Sequence, residues 1–134
     1  MEHTLVIIKP DAVERNLIGQ IIDTYERNDL KVIQMNMMKP TLEQVQKHYS
    51  EHQGKYFYDR LVKYLTSGDV VVLLLEGKRA IERVRKLNGK TNPQESEEGT
   101  LRKRFGIDHT RNSVHASDSE EKVAYEVEIW LAKY

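Results

Sequence analysis

Val70-Val71-Val72-Leu73-Leu74-Leu75 is an unbroken apolar run, and it constrains the fold more than any other stretch of the chain. A strand with one wet face alternates polar and apolar residues, whereas a strand without alternation has to be covered on both faces. Gly68-Asp69 turns the chain into this run, which therefore reads as a central strand packed above and below. Thr4-Leu5-Val6-Ile7-Ile8 is a second, β-branched run that stops at Lys9-Pro10. Proline has no N–H to give to a ladder, so this buried strand ends by presenting Lys9 at its C-terminal edge, a favoured ligand position in open sheets.

Helical periodicity fills the intervals. Asp11 to Arg27 places Leu17, Ile18, Ile21, Ile22 and Tyr25 on one face, with Asn16 as the expected N-cap. Leu30 to Met38 reads as a strand closed by Pro40. Thr41-Leu42-Glu43-Gln44 is a capping box opening a helix whose stripe is Leu42, Val45 and Tyr49. The helix expected from Tyr56 carries two stripes: Phe57, Leu61, Tyr64 and Leu65, and then Tyr58, Val62 and Leu65. So wide an apolar arc suits a helix that also lines a ligand slot or a subunit contact. Ala80, Ile81, Val84 and Leu87 mark a further helix with Arg85 on its flank. Asn88 to Thr110 has little periodicity and reads as a long irregular excursion, ordered by Leu101 and Phe105 at helical spacing. A brief strand then delivers His115 to a surface, and Asp118 with Glu121 supplies the N-cap and capping box of a last helix, striped by Val123, Val127, Trp130 and Leu131. This order predicts an α+β fold in a single domain over residues 1–134, a ferredoxin-like antiparallel sheet covered by helices.

Charge narrows the function classes. Lys plus Arg and Asp plus Glu number 21 each, giving a net charge of zero, which argues against a general binder of nucleic acid or membrane surfaces and leaves room for a local basic pocket. No cysteine is present for a disulfide framework or a thiolate metal site. Met1-Glu2-His3-Thr4 does not read as a signal peptide, and no apolar run approaches the ~20 residues of a membrane helix, so a soluble cytoplasmic protein is expected.

Neither G-x-x-x-x-G-K-[ST] nor G-x-G-x-x-G occurs, so any phosphate grip must be gathered from separate side chains, for which Lys9, Arg85, Thr91, Arg102, Arg111 and Asn112 are candidates. His115 is expected just outside a firmly anchored helix N-terminus, a setting that favours anions. His48-Tyr49-Ser50-Glu51-His52 fits the H-x-x-E-H zinc pattern but shows no third ligand, and a solvated helix face is the better reading. Gly54-Lys55-Tyr56-Phe57-Tyr58 echoes an aromatic RNA-binding strand, in a segment that reads as helical.

Taken in order, Thr4 to Asp11, His48-Tyr49, Leu61-Val62-Lys63-Tyr64, Glu76-Gly77, Thr91-Asn92-Pro93, Gly99-Thr100-Leu101-Arg102 and Arg111 to Ser119 resemble the nucleoside diphosphate kinase family over nearly the whole chain. The resemblance implies ping-pong transfer of a γ-phosphate from a nucleoside triphosphate to a nucleoside diphosphate, such as ATP, GTP, ADP and GDP, through phosphohistidine at His115. It implies that Lys9, Tyr49, Arg85, Thr91 and Arg102 contact the phosphates. Asn112 and Lys9 would reach the ribose, Phe57 and Leu61 would clamp the base, and His109 would stand near it. Glu126 would orient the histidine, with Ser117 as its hydroxyl neighbour. Mg2+ would bridge the phosphates without direct side-chain ligation, Asp118 reaching it through water.

Several positions depart from the family pattern. Ala12 and Ala116 stand where glycine is usual, His109 where an apolar residue is usual, and Lys103-Arg104 makes the loop unusually basic. The chain ends at Tyr134 without the extension of longer members, so a homo-oligomer is expected with tetramer and hexamer both open. The alternative class is a non-catalytic nucleotide or RNA-binding module on the same scaffold, which would bind nucleotides without exchanging phosphate; no membrane and no specific nucleic acid partner is expected.

Overall fold

The structure, a computed structural model, describes residues 1–131. Strands β1 (Glu2–Ile8), β2 (Lys31–Met38), β3 (Val70–Gly77) and β4 (Val114–Ala116) form one sheet in the order β2-β3-β1-β4, with every neighbouring pair antiparallel. The helices are α1 (Pro10–Glu14), α2 (Ile18–Arg27), α3 (Leu42–His48), α4 (Tyr58–Leu65), α5 (Ala80–Asn88), α6 (Leu101–Phe105) and α7 (Glu120–Trp130), with short 3-10 turns at Ser50–His52 and Pro93–Glu95.

The two runs without alternation are the two central strands, and their odd and even residues enter different cores. Val6 and Ile8 of β1 join Val71, Leu73 and Leu75 of β3 under Ile21 and Tyr25 of α2, Ala80 and Val84 of α5 and Leu101 of α6. Leu5 and Ile7 join Val70 and Val72 on the opposite face, under Val45 of α3, Val62 and Leu65 of α4 and Trp130 of α7. Each such side chain contributes roughly 1.5–3 kcal/mol on burial, so two covered faces are the main stabilisation of the sheet. The ferredoxin-like α+β expectation holds. β2 is the exposed edge, with Met35 60% and Met37 54% accessible. Among the described residues no helix is long and apolar enough to cross a membrane.

Three local expectations need correction, and a fourth gains detail. Asn16 caps no helix: Pro10 starts α1 at once, and Asn16, at φ 61°, makes the left-handed turn into α2, whose own N-cap Leu17 gives no side-chain bond. Asparagine tolerates that conformation better than most residues, which is why the turn falls there. The Thr41–Gln44 capping box is present, yet Leu42 is 56% exposed, since it sits at the first helical position facing outward and leaves Val45 and Tyr49 to pack. The N-cap of α7 is Ser119 and not Asp118: the Ser119 hydroxyl accepts from the Lys122 N–H. The excursion from Asn88 to Thr110 is built around α6, capped by Thr100, and the Pro93–Glu95 turn.

Candidate active site

β1 ends beside the start of β4, and the candidate side chains gather around that junction. The Lys9 N–H donates to the Ser113 carbonyl at 2.9 Å, tying the residue after β1 to the residue before β4. Ser113 holds φ 75°, a left-handed conformation that a non-glycine residue keeps only when its surroundings impose it. Asp11 imposes it. Its buried carboxylate accepts the Ser113 N–H at 3.2 Å and hydroxyl at 3.0 Å, and also accepts Arg15 and the Tyr64 hydroxyl. Burial, reinforced by that Asp11 bond and its charge, raises the Tyr64 phenol above its ordinary range, so it stays a donor.

From this fixed start β4 turns Val114 into the core and His115 outward. The His115 side chain is 24% exposed. Its Nε2 lies 2.9 Å from Glu126 Oε1, and the same oxygen accepts the Ser117 hydroxyl at 2.6 Å. A carboxylate has no proton to give here, so Nε2 is the donor and a neutral His115 carries its lone pair on Nδ1. Glu126 sits buried on α7 between the apolar stripe residues, where a charge is tolerated because it is hydrogen-bonded twice.

Behind this pair lies a residue that sequence reasoning misplaced. His48 is 6% exposed and not on a solvated face; α3 ends there, and His52 belongs to the separate 3-10 turn, so the two do not share a helical face. The His48 ring meets the His115 ring edge-on, with centroids 4.4 Å apart and planes at 79°, and its Nδ1 accepts the Trp130 indole N–H at 3.2 Å. Burial first, then the charges of His115 and Lys9, keeps His48 neutral well below the usual histidine range. The sequence signal was the family piece His48-Tyr49, which carried no role for His48; nothing local pairs positions 48 and 130.

The opposite wall is cationic. Lys9 is buried and donates to Asn112 Oδ1 at 2.9 Å and, more weakly, to the Thr110 carbonyl at 3.5 Å. Asn112 Nδ2 in turn donates to the carbonyls of Thr91 and His109, both at 3.0 Å, knotting two loops together. Burial, and secondarily the Arg102 charge, lowers the Lys9 ammonium to about 8, with Asp11 and Asp108 pulling the other way. Arg102 donates to the Gly89 carbonyl at 2.7 Å and the Val114 carbonyl at 2.8 Å, while its buried Nε has no protein partner. Its guanidinium is therefore clamped beside β4 with its charge unneutralised. Burial lowers its proton affinity; Tyr25 opposes that shift and Arg85 adds to it. Gly89, which ends α5 at φ 90°, is required at this clamp, because a Cβ there would collide with Ser96 and Thr100.

The remaining candidates differ in exposure and in the partners they meet. Arg85 is exposed on α5 without a salt-bridge partner among the described residues, and it shares a surface depression with Asp118. Tyr49 is buried edge-on to His48 at 4.8 Å, its phenol raised by burial and then by Glu126. Phe57 and Leu61, half-buried, stand at the start of α4, Phe57 edge-on to His52. Thr91 is exposed, and exposed His109 lines a cleft of about 350 Å³ with Arg60, Tyr64 and Thr110. Arg111 is a correction: Asp108 takes it through two bonds of 2.9 and 2.8 Å, so its charge is already neutralised.

Comparison with known proteins gives a single picture. The family model described as nucleoside diphosphate kinase matches residues 2–134. A nucleoside diphosphate kinase of Clostridium perfringens is 50% identical over 133 residues, covering 99% of this chain and 93% of that protein. One from Methanocaldococcus jannaschii is 46% identical, covering 97% of this chain and 93% of the other. Among solved structures, the Aquifex aeolicus nucleoside diphosphate kinase superposes with TM-score 0.92 at 37% identity, over 96% of this chain and 93% of that one. The Halobacterium salinarum nucleoside diphosphate kinase in complex with CDP does so with TM-score 0.94 at 38% identity, over 97% and 87%.

Proposed function

This chain belongs to the nucleoside diphosphate kinase family, and on that premise we propose that Nδ1 of His115 carries the phosphoryl group. The protein is a phosphotransferase that moves the γ-phosphate of a nucleoside triphosphate to a nucleoside diphosphate in two half-reactions. In the first, Nδ1 attacks the γ-phosphorus, a P–N bond forms, the bond to the β,γ-bridging oxygen breaks, and a nucleoside diphosphate leaves. In the second, a terminal oxygen of the acceptor diphosphate attacks the phosphohistidine and the P–N bond breaks. One observation carries the assignment: Glu126 holds Nε2–H at 2.9 Å, which leaves Nδ1 as the lone-pair nitrogen of a partly exposed ring. As phosphorus bonds to Nδ1 the ring gains positive charge, and the Glu126 carboxylate stabilises it where it forms.

Phosphoryl transfer needs charge neutralised more than it needs covalent help. Lys9, Arg102 and Arg85 do this for the phosphate oxygens, with Tyr49 and Thr91 as further donors. Asn112 and Lys9 bind the ribose hydroxyls, and Phe57, Leu61 and His109 border the base. A slot that holds a base by its faces accepts every base, so ATP, GTP, ADP and GDP all serve. The CDP held by the Halobacterium protein supports a diphosphate in this cleft.

Mg2+ fits as a guest of the nucleotide. The one group of three metal-ligating side chains among the described residues, His48, His115 and Glu126, is rich in nitrogen and already hydrogen-bonded, whereas Mg2+ prefers oxygen. Exposed Asp118, near Arg85, offers a carboxylate to the ion's water. When bound, the ion screens the phosphate oxygens and fixes their geometry.

Residues 1–134 act as one catalytic domain in the cytoplasm, where its substrates are abundant. It assembles as a homo-oligomer, for which the apolar β2 edge at Ile33, Met35 and Met37 is the natural contact; solution mass distinguishes tetramer from hexamer. The alternative of a non-catalytic nucleotide or RNA-binding module is not favoured, because the match to nucleoside diphosphate kinases runs over nearly the whole chain.

The direct test is incubation with γ-labelled ATP and magnesium. Acid-labile, base-stable label is expected on the protein and lost in His115→Ala; label that persists in that variant refutes the assignment.

A further inference from the structure

His48 is the best-enclosed imidazole in the molecule, and the reaction as described gives it nothing to do. It lies between the nucleophile's ring and Trp130, 3.9 Å from the second oxygen of Glu126. Two imidazoles therefore stand within reach of one carboxylate. They face different oxygens of it, His115 Nε2 at Oε1 and His48 Nδ1 at Oε2, so a protonated His48 would compete with His115 for its charge and orientation.

The Trp130 hydrogen bond decides that competition. An indole N–H only donates, so the nitrogen it meets must be a lone pair. With Nδ1 of His48 accepting from Trp130 at 3.2 Å, the proton of neutral His48 is confined to Nε2. Were Nδ1 protonated, it would face the indole donor with a second donor and turn toward Glu126 Oε2. The carboxylate would then be drawn off Nε2 of His115, whose ring could swing away from the cleft.

The groups facing His48 also oppose a charge on it. They are His115 from β4, Lys9 from the end of β1, Lys122 from α7 and His52 from the 3-10 turn, all cationic when protonated; among the described residues Glu126 on α7 is the carboxylate that pairs with it, and Tyr49 packs alongside. The near-perpendicular contact at 4.4 Å adds a steric term, since His115 cannot rotate about its Cβ–Cγ bond without meeting the His48 ring.

We propose that His48, locked by Trp130, is a positioning residue of phosphoryl transfer: it braces the His115 ring with Nδ1 toward the substrate and reserves the Glu126 carboxylate for Nε2. This rests on His115 being the carrier, and the experiments separate the two. His48→Gln keeps an acceptor for Trp130 but removes the ring, and Trp130→Phe keeps the packing but removes the donor.

His48→Gln should slow formation of the labelled phosphoenzyme by about 10–100-fold, the usual effect of losing a group that orients a catalytic one, with little change in nucleotide KM. Trp130→Phe should move the acidic limb of kcat to higher pH, because His48 can then be protonated and take Glu126. A purely structural role would lower melting temperature in both variants and leave the pH limb in place. Nitrogen-15 NMR on the unmodified protein needs no variant to fold: His48 should keep an unprotonated Nδ1 and a protonated Nε2 through the range where a free histidine titrates, around pH 6.5. A His48 that titrates there, a phosphoenzyme forming at the unmodified rate in His48→Gln, or an unmoved limb in Trp130→Phe overturns the proposal. Exchange surviving in His115→Ala overturns the underlying reading instead.

Discussion

The imidazole cluster around His115 neutralises its charge internally, whereas the cationic cluster around Lys9 leaves its charge free for a ligand. In the first, one carboxylate serves His115 and Ser117 at 2.9 and 2.6 Å. In the second, Lys9 and Arg102 are held by an amide oxygen and by backbone carbonyls, which fix geometry without cancelling charge. A nucleophile needs an available lone pair and a fixed ring; a phosphate grip needs positive charge that is fixed but unpaired. The two clusters share β1 and β4 as their frame and differ in which polar partners the chain brings to them.

Substitutions should break this division in a definite order. His115→Ala removes the nucleophile and should abolish ADP–GTP exchange in a coupled assay; it should also lower the melting temperature modestly, since buried Glu126 keeps the Ser117 bond and loses one of its two partners. Arg102→Gln removes a charge proposed to neutralise the transferring phosphate and should lower kcat by about 10²–10³. It should also lower the melting temperature, since the Gly89 and Val114 carbonyls lose their donor; Arg102→Lys should restore little, lacking the planar fork. Glu126→Gln keeps the shape and removes the charge, for an expected loss of about 10–100-fold in kcat. Equal losses in the Arg102 and Glu126 variants, with nucleotide KM altered alike, would mean that the clusters do not have separate roles.

The smallest effect is one of pH. Burial lowers the Lys9 ammonium to about 8, and the charged form is the one proposed to bind phosphate, so kcat/KM should be maintained below that pH and fall as pH rises through it. Lys9→Arg should flatten this alkaline limb, because arginine stays charged. The same burial makes the unfolded chain the better proton binder between about pH 8 and the ordinary lysine value near 10.4. Across that window this group alone makes the fold more stable as pH rises, which denaturant midpoints can follow.

Some of this architecture was legible in the residues. Val70–Leu75 and Thr4–Ile8 are central strands because an apolar run without alternation has no face to give to water. The Thr41 capping box formed as read, because its partners lie three residues apart. Asn16 and Asp118 failed as caps because competing signals acted first or better: Pro10 starts a short helix six positions before Asn16, and Ser119 offers a hydroxyl one position after Asp118. The roles carried over for His115, Glu126, Lys9 and Asn112 came from a family pattern and not from local physics.

Local sequence determined the strands, the caps and the residue types available at the sheet's end, because those signals act between neighbours a few positions apart. Tertiary structure alone decided which of them become chemistry. Trp130 meets His48 across 82 positions and Lys9 meets Asn112 across 103, and no periodicity encodes such distances. Arg111 looked as suitable for phosphate as Arg102 until the fold gave it Asp108, and His48 looked like surface until the fold enclosed it. Side-chain chemistry is written in the chain, but the availability of a charge or a lone pair depends on which partners packing supplies.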